Sequence, residues 1–433
     1  MTYLNAAGYH MEAAGIVVLG IFIIVLLIIL SERVNDTAAA LLGFGFAAMV
    51  VYFMQGIPFV EFAGTIGWDI ILFVASMMII VSVTASSGLF QYVALILAER
   101  TAGNPKRVFI YFLILVYFIS LFFDPLPTML IVSAFTVQVC NAIDVDFRPY
   151  LMSEAVVACV ASFPSPIGSI TNLVIVFLAE INTGIMFLSL LPLSVILFLT
   201  TLFYMMRKFE DKLDDTIERD LTDMFAVDPN ITIRSRFDLL AACIGMVVLI
   251  LGIIILPEQS AMVALIVAAA LLIPTRDRAR DLFRRLSWDS VFFLAGMMGI
   301  VQALVATGVI QDLAGGLQGI AETNEFLAIF AMILIPGGLM APVDAKAVGI
   351  LMAPAAKQLT AVNPMIPISL TLGTNAGGYV VPFGDAPNIV VVSVCQENLK
   401  PLSWTEFNKT VIPLGILHLV ISTIYCAIVS LLF

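Results

Sequence analysis

Phe122-Phe-Asp124-Pro-Leu-Pro-Thr128 is a polar break inside an apolar run from about Val108 to Val139. That run is long enough to enter a membrane and turn back. Met340-Ala-Pro-Val-Asp344-Ala-Lys346 interrupts a second apolar run, with Asp344 lying 220 residues beyond Asp124. A carboxylate at the bilayer centre costs ~3 kcal/mol on insertion scales, and such groups face the interior of a helix bundle. Two of them at equivalent places mark a site.

The composition sets the class. The chain is 61% hydrophobic and 12% charged, with a mean hydropathy of +1.08, which no soluble fold of this length sustains. Apolar runs of about 17–25 residues recur along it, as membrane-crossing helices require. The expected fold is an all-α polytopic membrane protein. The first run, about 13–31, has no basic segment before it and is expected to be retained as a span rather than removed as a signal peptide. A net charge of −11 argues against a nucleic-acid partner. The five cysteines lie in apolar runs without metal-type spacing, and His10 and His418 form no cluster. Packing is their expected role, with no metal centre and no cofactor.

The chain repeats itself. Trp68-Asp-Ile-Ile-Leu-Phe-Val-Ala-Ser-Met-Met-Ile-Ile-Val returns as Trp288-Asp-Ser-Val-Phe-Phe-Leu-Ala-Gly-Met-Met-Gly-Ile-Val, and the register holds to Gly88/Gly308 and Gln91/Gln311. Further on, Pro166-Ile-Gly168-Ser-Ile-Thr171-Asn172 matches Pro382-Phe-Gly384-Asp385-Ala-Pro387-Asn388. Scattered Leu and Val matches are cheap in apolar sequence; Trp, Asp, Met-Met, Gly and Gln in one register are not. The chain divides into a first repeat at 1–206, a polar linker at 207–237 and a second repeat at 238–433.

Loop charge sets their orientation. The 274–287 loop carries Arg276, Arg278, Arg280, Arg284 and Arg285, whereas its counterpart at 55–67 has Glu61 and no Lys or Arg. Arg100, Lys106 and Arg107 sit opposite Asp312, Glu322 and Glu325. Basic loops in one half match acidic or neutral loops in the other, as inverted-topology repeats require. The expected path has about ten full spans, two re-entrant hairpins at 108–142 and 325–360, two broken helices, both termini outside and the linker inside.

Four breaks interrupt this pattern, at 124–127, 163–168, 336–345 and 381–387. Broken backbone is tolerated at membrane depth only where it is buried in protein or lines a polar cavity, and paired breaks in two halves point to a transporter binding site. The candidate ion-binding residues are Asp124 and Thr128 at the first tip, with Ser165, Gly168, Thr171 and Asn172 at the first broken helix. Asp344 and Lys346 at the second tip, and Asn375, Gly384, Asp385 and Asn388 at the second broken helix, complete the set. Plainer roles stand beside these. Asp124 before Pro125 is also an ordinary helix N-cap, Lys346 can simply neutralise Asp344, and the asparagines can be helix caps or polar contacts between helices. Glu154 and Glu180 are expected near span ends, with their carboxylates reaching the interface. Asp69 and Asp289 are expected as caps at the membrane surface.

The Trp68-Asp…Met77-Met78-Ile-Ile-Val…Gly88-Leu89-Phe90 stretch and Gly384-Asp385-Ala-Pro387-Asn388-Ile389 resemble the ion transporter superfamily over essentially the whole chain. The branches it is most similar to are the arsenite/antimonite efflux permeases, the NhaD-type sodium–proton antiporters and the melanosomal P protein. The resemblance implies a secondary transporter with paired hairpins, moving an ion or oxyanion against protons. The chain departs from its relatives' Asp/Asn-Asn-Thr tips, having Asp124-Pro125-Leu-Pro-Thr128 and Asp344-Ala-Lys346-Ala-Val348. Its first Gly-Asp-x-Pro-Asn copy reads Gly168-Ser169-Ile170-Thr171-Asn172.

The leading expectation is therefore a proton-coupled antiporter with Asp124, Asp344 and Asp385 as carriers. A carboxylate that binds either a proton or a cation is the minimum apparatus for exchange, and three of them favour a monovalent cation as substrate. Efflux of arsenite, antimonite or another oxyanion is the alternative. An intramembrane aspartyl protease is the enzyme alternative, but it gives the whole-chain repeat no purpose and lacks a Pro-Ala-Leu element. A scaffold without transport does not explain the matched breaks. The expected partners are the ion, protons and lipid, with a homodimer as a possible assembly and a prokaryotic inner membrane as the setting.

Overall fold

A computed structural model describes residues 13–31, 33–101, 103–213, 235–256, 259–275, 278–339, 345–380 and 386–433. Asp344, Gly384, Asp385 and the Lys346 side chain lie outside the described residues, as does 214–234 of the linker.

Every regular element among the described residues is helical. The first half runs α1 (Ala13–Leu30), α2 (Asp36–Gln55), α3 (Phe59–Ala63), α4 (Trp68–Ser86), α5 (Leu89–Arg100), α6 (Pro105–Ser120), α7 (Pro125–Ala142), α8 (Arg148–Ala161), α9 (Ile170–Leu178) and α10 (Thr183–Lys208). A single turn, α11 (Glu210–Leu213), follows. The second half runs α12 (Arg236–Ile255), α13 (Ser260–Leu272), α14 (Ala279–Arg285), α15 (Trp288–Ala306), α16 (Val309–Thr323), α17 (Glu325–Leu334), α18 (Ala345–Leu359), α19 (Met365–Val380), α20 (Ala386–Glu397) and α21 (Trp404–Ser430). A π turn at Ile335–Leu339 extends α17. Six of these helices, among them α2, α4, α10 and α21, are long and apolar enough to cross a membrane alone. Their outer faces carry Phe53, Leu188, Phe203 and Ile424 in the open, a surface suited to lipid rather than water.

The two halves match element by element, α1–α10 with α12–α21, down to local chemistry. The Trp68 indole donates to the Ala63 carbonyl at 3.0 Å, and Trp288 donates to Phe283 at 2.9 Å. Each bond ties a short helix, α3 or α14, to the long one after it. Gly88 and Gly308 open α5 and α16 with φ of 88° and 83°, left-handed values that glycine alone adopts without strain. Asp69 and Asp289 fall in the first turns of α4 and α15, both exposed.

Packing exchanges the halves. α2 lies against α15 and α13 against α4; α7 lies against α20 and α18 against α9. Small residues bring α2 and α15 close together. A side-chain carbon at Gly296 on α15 would stand 2.7 Å from the Ala40 carbonyl carbon of α2, so this backbone contact needs glycine. α8 is buried at every residue from Pro149 to Ala161, which places it at the centre of the bundle.

Candidate functional site

The first break is held by one carboxylate. After the turn at 121–123, Asp124 takes an extended backbone and Pro125 starts α7 at a position needing no N–H. Asp124 Oδ1 accepts from the Leu126 amide at 3.0 Å, which caps α7. Its Oδ2 accepts from the Ile170 amide at 3.3 Å, at the start of α9. The positive ends of two helices thus meet on a single side chain. Asp124 is an N-cap and also the bridge between the hairpin tip and the broken helix. Thr128, one turn on and buried, donates its hydroxyl to the Asp124 carbonyl at 3.0 Å.

The break between α8 and α9 is a compact turn at 162–169. The Ser165 hydroxyl accepts from the Ile167 amide at 3.3 Å. Gly168 fits because a side-chain carbon there would lie 3.0 Å from both the Ser120 carbonyl oxygen and the Ser162 Cα. Thr171 and Asn172 are both buried in the first turn of α9. Asn172 Nδ2 donates to the Ser162 carbonyl at 2.9 Å and lies 3.4 Å from the Phe163 and Ser165 carbonyls. The amide thereby pins both ends of the break and gathers carbonyl oxygens around itself.

The second half builds the same tie. Asn388, buried in the first turn of α20, donates to the Gly378 carbonyl at 3.5 Å. In both halves the asparagine reaches back ten residues. Asn375 on α19 joins the two halves: its Nδ2 donates to the Asn172 side-chain oxygen and to the Thr371 carbonyl. Asp124, Thr128, Ser165, Gly168, Thr171, Asn172 and Asn375 therefore fall in one neighbourhood, with Asn388 at the matching break across α19. Lys346 falls in the first turn of α18.

Two features escape the sequence reading. Glu154 is not near a span end with its carboxylate at the interface; it is fully buried in α8 and accepts the Thr136 hydroxyl at 2.6 Å. An apolar run of small residues gives no hint of which way its one acid points. His418 is likewise enclosed, bonded through Nδ1 to the Tyr379 hydroxyl at 2.8 Å and set 3.4 Å from Thr201. This chain links α19, α21 and α10. Glu180, by contrast, is exposed and pairs with Lys357 at 2.7 Å.

At the α7–α8 loop, Asp146 pairs with Arg148 at 2.8 Å and Lys212 at 3.0 Å. Burial pushes the Asp146 carboxyl up, but the hydrogen bonds from Arg148 and Lys212 outweigh it and hold the group at about 2. The start of the linker is thereby fastened beside the mouth of the hairpin.

A protein-family model described as citrate transporter matches residues 25–366. A protein described as an uncharacterized transporter in Mycobacterium bovis is 27% identical over 405 residues, covering 91% of this chain and 94% of that one. A 46 kDa membrane protein of Mycobacterium leprae is 24% identical over 419 residues, covering 95% and 97%. The P protein of Sus scrofa is 23% identical over 171 residues, 39% of this chain and 20% of its own length.

Proposed function

The chain belongs to the citrate transporter family, and from its site we propose that it is a proton-coupled antiporter exchanging a small cation for protons. The protein is a membrane transporter and not an enzyme, which sets the protease alternative aside. The observation that carries the finer reading is the Asp124 bridge. A proton on this carboxyl removes the charge that strengthens the hydrogen bonds from both helices' amides. Protonation is thereby coupled to the geometry of the break. Beside it, the carbonyls of Ser162, Phe163 and Ser165 converge on Asn172. Unwound carbonyls are the groups that hold a monovalent cation in broken-helix transporters.

Asp344 and Asp385 complete this reading as further carriers, and Lys346 as the group that tunes Asp344. On this reading the basic loops place the linker in the cytoplasm and both termini outside, with a prokaryotic inner membrane as the setting and a homodimer as one assembly to test. A second reading, an oxyanion or carboxylate substrate, is favoured by the citrate description of the family.

Dequenching of a proton gradient in inverted vesicles separates the two. Sodium, lithium or potassium is expected to discharge the gradient in vesicles containing the protein and not in empty ones. Discharge by citrate, arsenite or antimonite alone transfers the protein to the second reading.

A further inference from the structure

Glu154 is a titratable group that the reading above leaves unused. Its side chain is entirely enclosed, and it lies on the central helix of the bundle. Thr136 on α7 donates to Oε1, while no hydrogen-bond donor among the described residues reaches Oε2. Ionised, this carboxylate would keep an unsolvated oxygen in an apolar interior, and no ion pair among the described residues compensates it. A bound proton removes that charge.

The surrounding titratable groups are neutral in their ordinary forms. Cys140 on α7 and Tyr150 on α8 are both buried. α20 contributes Cys395, near Arg148, and α19 and α21 contribute Tyr379 and His418, bonded to each other. α6 and α10 contribute the Tyr117–Ser194 hydroxyl pair.

The position links surface to site. Arg148, in the charged cluster at the mouth, lies about 9 Å along the axis of α8. In the other direction, Thr136, Ser133 and Thr128 all lie on the buried side of α7, which ends at Asp124 about 18 Å from Thr136. Thr128 is itself bonded to the Asp124 carbonyl.

We propose that Glu154 is a proton-binding site of the transporter, holding a proton between the α7–α8 mouth and Asp124; as a coupling role this rests on the antiport reading above.

Infrared spectra of the full chain in liposomes test proton binding without any substrate, because a protonated carboxyl has its own carbonyl band. The expected band is present at low pH, is lost as the pH is raised, and is missing from Glu154→Gln. Glu154→Asp keeps the carboxyl and moves the band, which assigns it where the glutamine variant does not assemble. A band that never titrates, or one that is unchanged in both variants, overturns the proposal. In the gradient assay, Glu154→Gln is expected to slow discharge about tenfold or more, and an unchanged rate overturns the coupling role. If the wild-type protein discharges the gradient with no ion tested, the antiport reading is what fails. The infrared titration still decides whether Glu154 takes up and releases a proton.

Discussion

Asp124→Ser is expected to leave a folded, membrane-inserted protein whose proton-coupled exchange is lost. Serine is among the best N-cap residues, so α7 keeps its cap, but the second oxygen that receives the Ile170 amide is gone. A hydrogen bond to a charged group contributes about 1.5–3 kcal/mol, so α9 should fray and the melting temperature fall by a few degrees. Exchange depends on the charge itself and should drop by about a hundredfold or more, on the scale of a proton-transfer group. Asp124→Ala removes both caps and should cost about 1 kcal/mol more. The comparison separates capping from chemistry. Serine activity within threefold of wild type would reduce Asp124 to a structural bridge and move the carrier role to Asp344 or Asp385.

Asn172→Ala is expected to weaken exchange about tenfold and to destabilise the protein by about 1–3 kcal/mol, the cost of leaving buried partners unsatisfied. The Ser162 carbonyl loses its 2.9 Å donor and the Asn375 amide loses an acceptor. Asn375→Ala should cost less stability, because the Asn172 Nδ2 bonds across the break remain. The pair should be non-additive by about 0.5–3 kcal/mol in a double-mutant cycle, read by thermal melting in detergent alongside vesicle transport. Strict additivity, with wild-type transport in both single variants, would place these asparagines in the scaffold.

Much of this site was legible before the fold was known. The Trp-Asp stretch and its copy locate α4 and α15, and the repeated Pro-x-Gly…Asn segment locates the first break and both reaching asparagines. Asp124 with Pro125 states a helix start in its own local code. What stayed hidden depends on contacts between halves. Asn375 sits in a run of small residues on α19 and declares itself only because α9 of the other half lies against it. Glu154 was misplaced for a related reason. α8 is apolar on every side because protein surrounds it on every side, so it has no amphipathic face from which a direction can be read. The same holds for His418, whose partners come from two helices far from its own in the chain.

The exchange of α2 onto α15 and α13 onto α4 constrains how such a molecule moves. Each half is clasped by a helix of the other, and at Gly296 the two backbones are nearly touching. Bodies interlaced in this way do not part like the shells of a clam without tearing that crossing. The expected movers in alternating access are the hairpins and broken helices, with the clasp staying shut. A disulfide between Gly43→Cys and Ile300→Cys, neighbours across that crossing, is accordingly expected to leave exchange running. Arrest of transport by that one staple would mean that the clasp itself has to open.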